Sequence, residues 1–233
     1  MFCPHCGNQV PDQTAYCPHC GQSVTSPGSA ATPPPAPQAA QPFVAPDNIN
    51  INITGAISEA WRIVSGDLGV FVVCTLIMGV IDSVGILHGS MAAGMHILCI
   101  NKLVRGRIEI GDFFKGFNFF VPSLIALIIT GIFTFIGTLA CIVPGIVLAS
   151  VYMFVYLFIV DRKMDFWPAI EACHAIGKKA WGQLTLFMLS LVLLQIAGAL
   201  ACLVGLLVTI PMLFAAVTVV YRDLVGFSSK GVD

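Results

Sequence analysis

The chain has 233 residues, 57% of them hydrophobic and 10% charged, with a formal net charge of -1 at pH 7 and a mean hydropathy of +0.90, whereas an average soluble domain carries about 25% charged residues. That composition excludes an ordinary water-soluble enzyme and describes a membrane protein with a small polar head. The opening residues Met1, Phe2 and Cys3 bring neither a basic stretch nor an apolar core, so no secretory signal peptide is expected.

Residues 1–22 are cysteine-dense. Cys3-Pro4-His5-Cys6-Gly7 and Cys17-Pro18-His19-Cys20-Gly21 form a C-x2-C-x10-C-x2-C array, a spacing that brings four thiolates into the tetrahedral shell zinc prefers. The glycine after each pair supplies the positive φ such a turn needs. Twenty-odd residues bury too little apolar surface to fold unaided, so metal binding and folding are expected to be one event. With Cys3, Cys6, Cys17 and Cys20 all used as ligands, the Zn2+ is expected to be structural rather than catalytic. A disulfide framework is disfavoured by the reducing cytoplasm. A thioredoxin-like redox role is disfavoured because it needs one such motif on a surrounding strand and helix. His5 and His19 lie between ligands and are expected to face solvent. Residues 1–61 contain no Lys or Arg, so the phosphate-neutralising charge that dominates nucleic-acid binding is missing. A protein partner or self-association through this ribbon is the expectation.

Residues 23–53 are rich in Pro, Ser and Ala and read as an extended, flexible linker. From about Thr54 the composition turns to Leu, Ile, Val, Phe, Gly and Ala, and residues 54–227 read as one transmembrane domain followed by a tail at 228–233. Six apolar segments have about the length an α-helix needs to span the hydrocarbon layer, at roughly 67–84, 86–104, 119–140, 144–160, 183–203 and 205–221. The short Gly- or Pro-bearing joints Val84-Gly85, Val143-Pro144-Gly145 and Val204-Gly205 make these three helical hairpins. Unbroken helices of about 38 residues would reach about 57 Å, far more than a bilayer. The segments Gly137–Val143 and Gly198–Val204 match at five of seven positions with an offset of 61, which predicts a repeated hairpin unit. Before each hairpin an amphipathic stretch is predicted to lie in the headgroup zone: Ile57, Ala60, Trp61 and Val64; Ile110, Phe113, Phe114 and Phe117; Ile170, Cys173, Gly177 and Trp181. The alternative is that these are fraying ends of the spanning helices.

With these six spans, all 11 Lys and Arg residues fall on one side of the membrane, and the positive-inside rule places both termini in the cytoplasm of a multi-pass cell-membrane protein. Within the spans, Asp82, His88, His96 and Asn101 are the polar residues of interest. Asp82 and His88 flank the first outer turn and are expected to be wetted there. His96 lies deeper, beside the small-residue stripe Gly85, Gly89 and Ala93, and is a possible intramembrane polar site. A hydrogen bond to a neighbouring helix is the favoured role and a proton relay the alternative. The remaining cysteines are expected to act as small buried hydrophobes, although a bridge between Cys141 and Cys202 is conceivable. No HExxH, GxSxG or P-loop occurs, and no carboxylates are paired inside the spans.

The head resembles the short zinc-ribbon domain at the N-terminus of many bacterial membrane proteins, over residues 1–22. The membrane part resembles the six-helix family that includes the membrane domain attached to bacterial glycerophosphoryl diester phosphodiesterases. The residues carrying that likeness are Val143-Pro144-Gly145-Ile146 with Tyr152, Phe154, Tyr156 and Phe158, then Ala169-Ile170-Glu171-Ala172, then Tyr221-Arg222-Asp223-Leu224. The resemblance implies a membrane fold and brings no catalytic residue. The sequence reading is therefore an all-α membrane domain of three repeated hairpins with interfacial helices plus a zinc ribbon, in a non-enzymatic protein whose ribbon binds or senses a protein partner. The alternative reading is a small transporter or lipid-handling protein with a path between the hairpins.

Overall fold

The computed structural model describes residues 3, 5–9, 17–22, 43–46, 49–82, 85–201 and 204–228. It divides into two compact units, Met1–Gln41 and Pro42–Asp233.

In the first unit, two similar turns hold the cysteines. The Gly7 amide donates to the Cys3 carbonyl and the Cys3 amide to the Asn8 carbonyl, both at 2.9 Å. The second turn repeats this with Gly21 on Cys17 and Cys17 on Gln22, both at 2.8 Å. Gly7 and Gly21 sit at φ 70 and 69, a conformation that costs an L-residue with a Cβ about 1–2 kcal/mol.

The regular secondary structure among the described residues of the second unit is helical. Its first helix, α1 (Ile53–Gly66), starts because the Asn52 carboxamide oxygen accepts the Gly55 amide at 3.0 Å, satisfying one orphan N–H of the first turn. Ala56, Ala60, Ile63 and Val64 are its buried residues, at the spacing of one helix face, and that face lies on α9 (Leu206–Val225). At Asp67 the chain bends by 95° into α2 (Leu68–Ile81). Helix α3 (His88–Arg105) is the centre of the unit: every residue from Gly89 to Asn101 is buried. Around it come α4 (Ile110–Phe114), a 3-10 segment (Lys115–Phe119) and α5 (Phe120–Ala140). Then follow α6 (Ile142–Tyr152), α7 (Val155–Asp161) and α8 (Phe166–Leu200).

Four helical runs among the described residues are long and apolar enough to cross a membrane: Ile110–Ala140, Ile142–Asp161, Phe166–Leu200 and Leu206–Val225. Counting the bent pair α1–α2 as one broken span gives up to five. Six spans were expected, and the first two differ from the rest for physical reasons. α2 has 14 helical residues, about 21 Å, short of a hydrocarbon layer of about 30 Å. α3 carries His88, Ser90, His96, Asn101, Lys102 and Arg105, and a helix wrapped by other helices is under no pressure to be apolar toward lipid. By contrast α5 exposes Val121, Ile128, Ile132, Phe135 and Leu139, and α8 exposes Leu186, Leu189, Leu193, Ile196 and Leu200.

The amphipathic stretches form helices of their own or with a break. Residues 110–119 divide into α4 and the 3-10 segment before α5 begins. In α8 the backbone leaves helical geometry at Ala180, with φ -139 and ψ 23, which separates the stretch around Ile170–Gly177 from the apolar part beyond Trp181. The two similar turns also pack alike. At one, a Cβ on Gly137 would lie 2.7 Å from Leu148 and one on Gly145 2.1 Å from Thr138; at the other, a Cβ on Gly198 would lie 2.4 Å from Thr209 and one on Gly205 2.4 Å from the Gly198 carbonyl. Small residues thus let the arms of each hairpin touch.

The end of the Pro-rich stretch is ordered against the helices, beyond what its composition led us to expect. Ala45 is buried, and the Phe43 ring meets Phe158 edge-on with centroids 5.0 Å apart. The Arg162 guanidinium lies over Phe43 at 5.4 Å, and the Lys179 ammonium donates to the Ala45 carbonyl at 2.8 Å. Packing there removes apolar surface of Phe43 and Ala45 from solvent, which is favourable. Residues 23–42 and the tail at 229–233 lie outside the described residues.

Candidate metal centre and an apolar cavity

The ligand atoms of Cys3, Cys6, Cys17 and Cys20 all lie within 4.8 Å of one another. The Sγ atoms of Cys3 and Cys20 are 3.7 Å apart and those of Cys6 and Cys17 3.6 Å. Both separations are far beyond a disulfide bond of about 2.05 Å. They match the edge of a tetrahedron of sulfurs about 2.3 Å from zinc, which is about 3.8 Å. Cys3 and Cys17 are buried while Cys6 and Cys20 are exposed. The His19 amide, pointing at its sulfur, lowers the Cys17 thiol to about 7, and the His5 amide lowers Cys3 in the same way. Thiolate is the metal-binding form, so the backbone favours it at Cys3 and Cys17, while Cys6 and Cys20 are shifted upward beside them. His5 and His19 are exposed. The four cysteines fit structural Zn2+ and leave no open coordination position for a substrate.

His96 is buried on α3. Its Nδ1 lies 3.0 Å from the Thr218 hydroxyl of α9. That hydroxyl already donates to the Phe214 carbonyl at 2.7 Å, so the imidazole Nδ1–H donates and Thr218 accepts. The Phe214 ring meets the imidazole edge-on at 5.1 Å. Of the expected stripe, Gly89 faces a neighbour, since a Cβ there would lie 2.8 Å from the Ser123 carbonyl, whereas Gly85 lies in the turn before α3 with nothing within 4 Å of its Cβ position. Asp82 and His88 pair with each other at 2.8 Å and are partly exposed. Cys74, Cys99 and Cys173 are buried free thiols and Cys141 is exposed. Cys202 lies outside the described residues, and with it any bridge to Cys141.

Charged groups that are distant in sequence meet in pairs. Arg222 of α9 donates twice to the Glu59 carboxylate of α1, at 2.7 and 2.9 Å, and draws it below the usual carboxylate range. Lys102 of α3 pairs with Asp67 at the α1–α2 bend. Asp161 of α7 accepts the Tyr221 hydroxyl at 3.1 Å and the Ser228 amide at the same distance. The ends of α1, α3, α7 and α9 that carry these charges are thereby tied to one another.

Between α5, α6 and the first part of α8 lies a cavity of about 700 Å3. Phe133, Ile136 and Ala140 of α5, Leu148 of α6 and Ile170 of α8 supply apolar walls. Its polar groups are Tyr152 together with Glu171, His174 and Lys178 on α8. The Tyr152 hydroxyl and His174 Nε2 are 2.7 Å apart, and the Trp167 indole N–H donates to Glu171 at 2.9 Å. The signal was present in the sequence: Glu171, His174 and Lys178, three and then four residues apart, share one helix face. What it faces was not legible.

Against known proteins, residues 2–24 match the zinc-ribbon domain family. Over 137 residues the chain is 29% identical to the uncharacterized protein Rv2560 of Mycobacterium tuberculosis and to the uncharacterized protein Mb2590 of Mycobacterium bovis. The aligned stretch is 58% of this chain and 42% of each relative, so the chain spans less than half the length of the curated relatives it matches. No solved structure matches it.

Proposed function

We propose that this is a non-enzymatic integral membrane protein whose cytoplasmic zinc ribbon binds or senses a protein partner while the helical unit anchors it in the bilayer. The observation that carries the reading is the closed four-cysteine site: every zinc position is taken by protein, so the ribbon has a surface to offer and no reaction centre. The absence of Lys and Arg from residues 1–61 argues against nucleic acid as that partner. Six crossings remain part of the proposal, with α2 and α3 as the first hairpin, α3 shielded from lipid by its neighbours and α1 outside the spans. The pairing of Arg222 with Glu59 and Lys102 with Asp67 supports gathering the cations on one face, which the positive-inside rule makes cytoplasmic. The likeness to the phosphodiesterase-associated membrane family belongs to this proposal as a statement about fold.

Because Phe43 and Ala45 belong to the helical unit, the ribbon is best removed by deleting residues 1–41. Proximity labelling in cells should then lose a defined set of neighbours relative to the intact chain. An unchanged set counts against recruitment. The second reading, a lipid-handling protein, is favoured by the cavity beside α8 and leads to the next inference.

A further inference from the structure

We propose that the cavity between α5, α6 and the first part of α8 holds an acyl chain of a membrane phospholipid, with the lipid phosphate at Lys178. This rests on the bilayer reading above and deepens its lipid-handling form. The cavity has the size of a small-molecule site, in the range of about 300–1,000 Å3. Its α5 and α6 walls are apolar apart from Tyr152, and apolar cavities do not hold water well. In a bilayer the surrounding medium that can fill such a space is hydrocarbon.

The polar groups say which end the head takes. All ionisable side chains of the lining except the Tyr152 phenol come from α8. The Tyr152 hydroxyl and His174 are engaged with each other, and Glu171 accepts the Trp167 indole. Lys178 has no ion-pair partner among the described residues. An uncompensated cation at the rim of an apolar cavity complements a molecule with a hydrocarbon body and an anionic head. Its flexible four-carbon stem lets the ammonium follow a phosphate at the interface. A free fatty acid or a second copy of the chain would fill the walls as well, but a phospholipid is the amphiphile the bilayer itself presents.

The test uses the full chain in phosphatidylethanolamine–phosphatidylglycerol vesicles that contain a trace of phospholipid with a diazirine on its acyl chain. After irradiation, adducts are mapped by mass spectrometry. The expected adducts concentrate on Ile136, Ala140 and Leu148. Ala140→Trp, which puts an indole into the cavity from an exposed position, should lower them several-fold. Ile196→Trp, at a residue that is exposed on α8 and does not line the cavity, should leave them unchanged. Lys178→Ala should lower labelling by the phospholipid but not by a diazirine hydrocarbon without a head. Adducts spread evenly over the exposed apolar residues of α5 and α8 would overturn the site. So would phospholipid labelling indifferent to Lys178→Ala, or crosslinks between two chains through these walls. A chain that does not float with the vesicles refutes the bilayer reading instead, so the two failures are distinct.

Discussion

Cys3, Cys6, Cys17 and Cys20 each contribute one sulfur to a shell with no spare position, so losing one should matter as much as losing the site. For Cys3→Ser, zinc per purified chain should fall from about one toward zero, because binding and folding of so small a unit are coupled. Full stoichiometry by elemental analysis would remove the ribbon assignment. Glu59 poses a different question, since its partner Arg222 lies 163 residues away. A carboxylate whose folded pKa is lowered contributes stability above its unfolded value, about 4.3, and loses it as pH falls through the lowered folded one. Glu59→Gln should therefore cost about 1–2 kcal/mol near neutral pH, and the gap between the melting temperatures of wild type and variant in detergent should close under acid. A gap of constant size down to about pH 3 would mean the carboxylate charge contributes nothing.

Among the elements, α3 is held in a close backbone fit. A Cβ on Gly94 would lie 2.1 Å from the Phe113 carbonyl oxygen, backbone that has no side-chain freedom to give way. Gly94→Ala should destabilise by about 1–3 kcal/mol as an overpacking change. Gly131→Ala on α5, where nothing lies within 4 Å, should be neutral or slightly stabilising. Equal effects from the two, read as loss of monodisperse protein on heating in detergent, would contradict the central placement of α3. At this scale the sequence was informative about α5 and α8, whose exposed faces are read directly by apolarity, and about α9, whose run of apolar residues is long enough to span although most of it is buried. It was least informative about α2 and α3, since a short helix and a protein-wrapped helix both escape rules written for lipid-facing spans. The break at Ala180 follows the change from amphipathic to apolar composition around Trp181, although no Gly or Pro occupies the broken position itself.

For the whole molecule, the two compact units predict separable responses. Chelation of zinc from the full chain should unfold the ribbon and leave the helical circular-dichroism signal unchanged, because among the described residues the core cluster of the helical unit includes none of the four zinc-ligand cysteines. A large loss of helix on chelation would mean that the units depend on each other. What the amino-acid order determined alone is whatever depends on local spacing: the four-cysteine array, the apolar runs and the glycine-bearing turns that repeat at an offset of 61. Tertiary structure decided the rest, namely which carboxylate Arg222 meets, where His96 donates its proton, that Phe43 and Ala45 leave the linker for the core, and that Lys178 borders a cavity. These depend on contacts between residues up to 163 positions apart, and helical periodicity gives the face a side chain occupies while leaving open what stands opposite it.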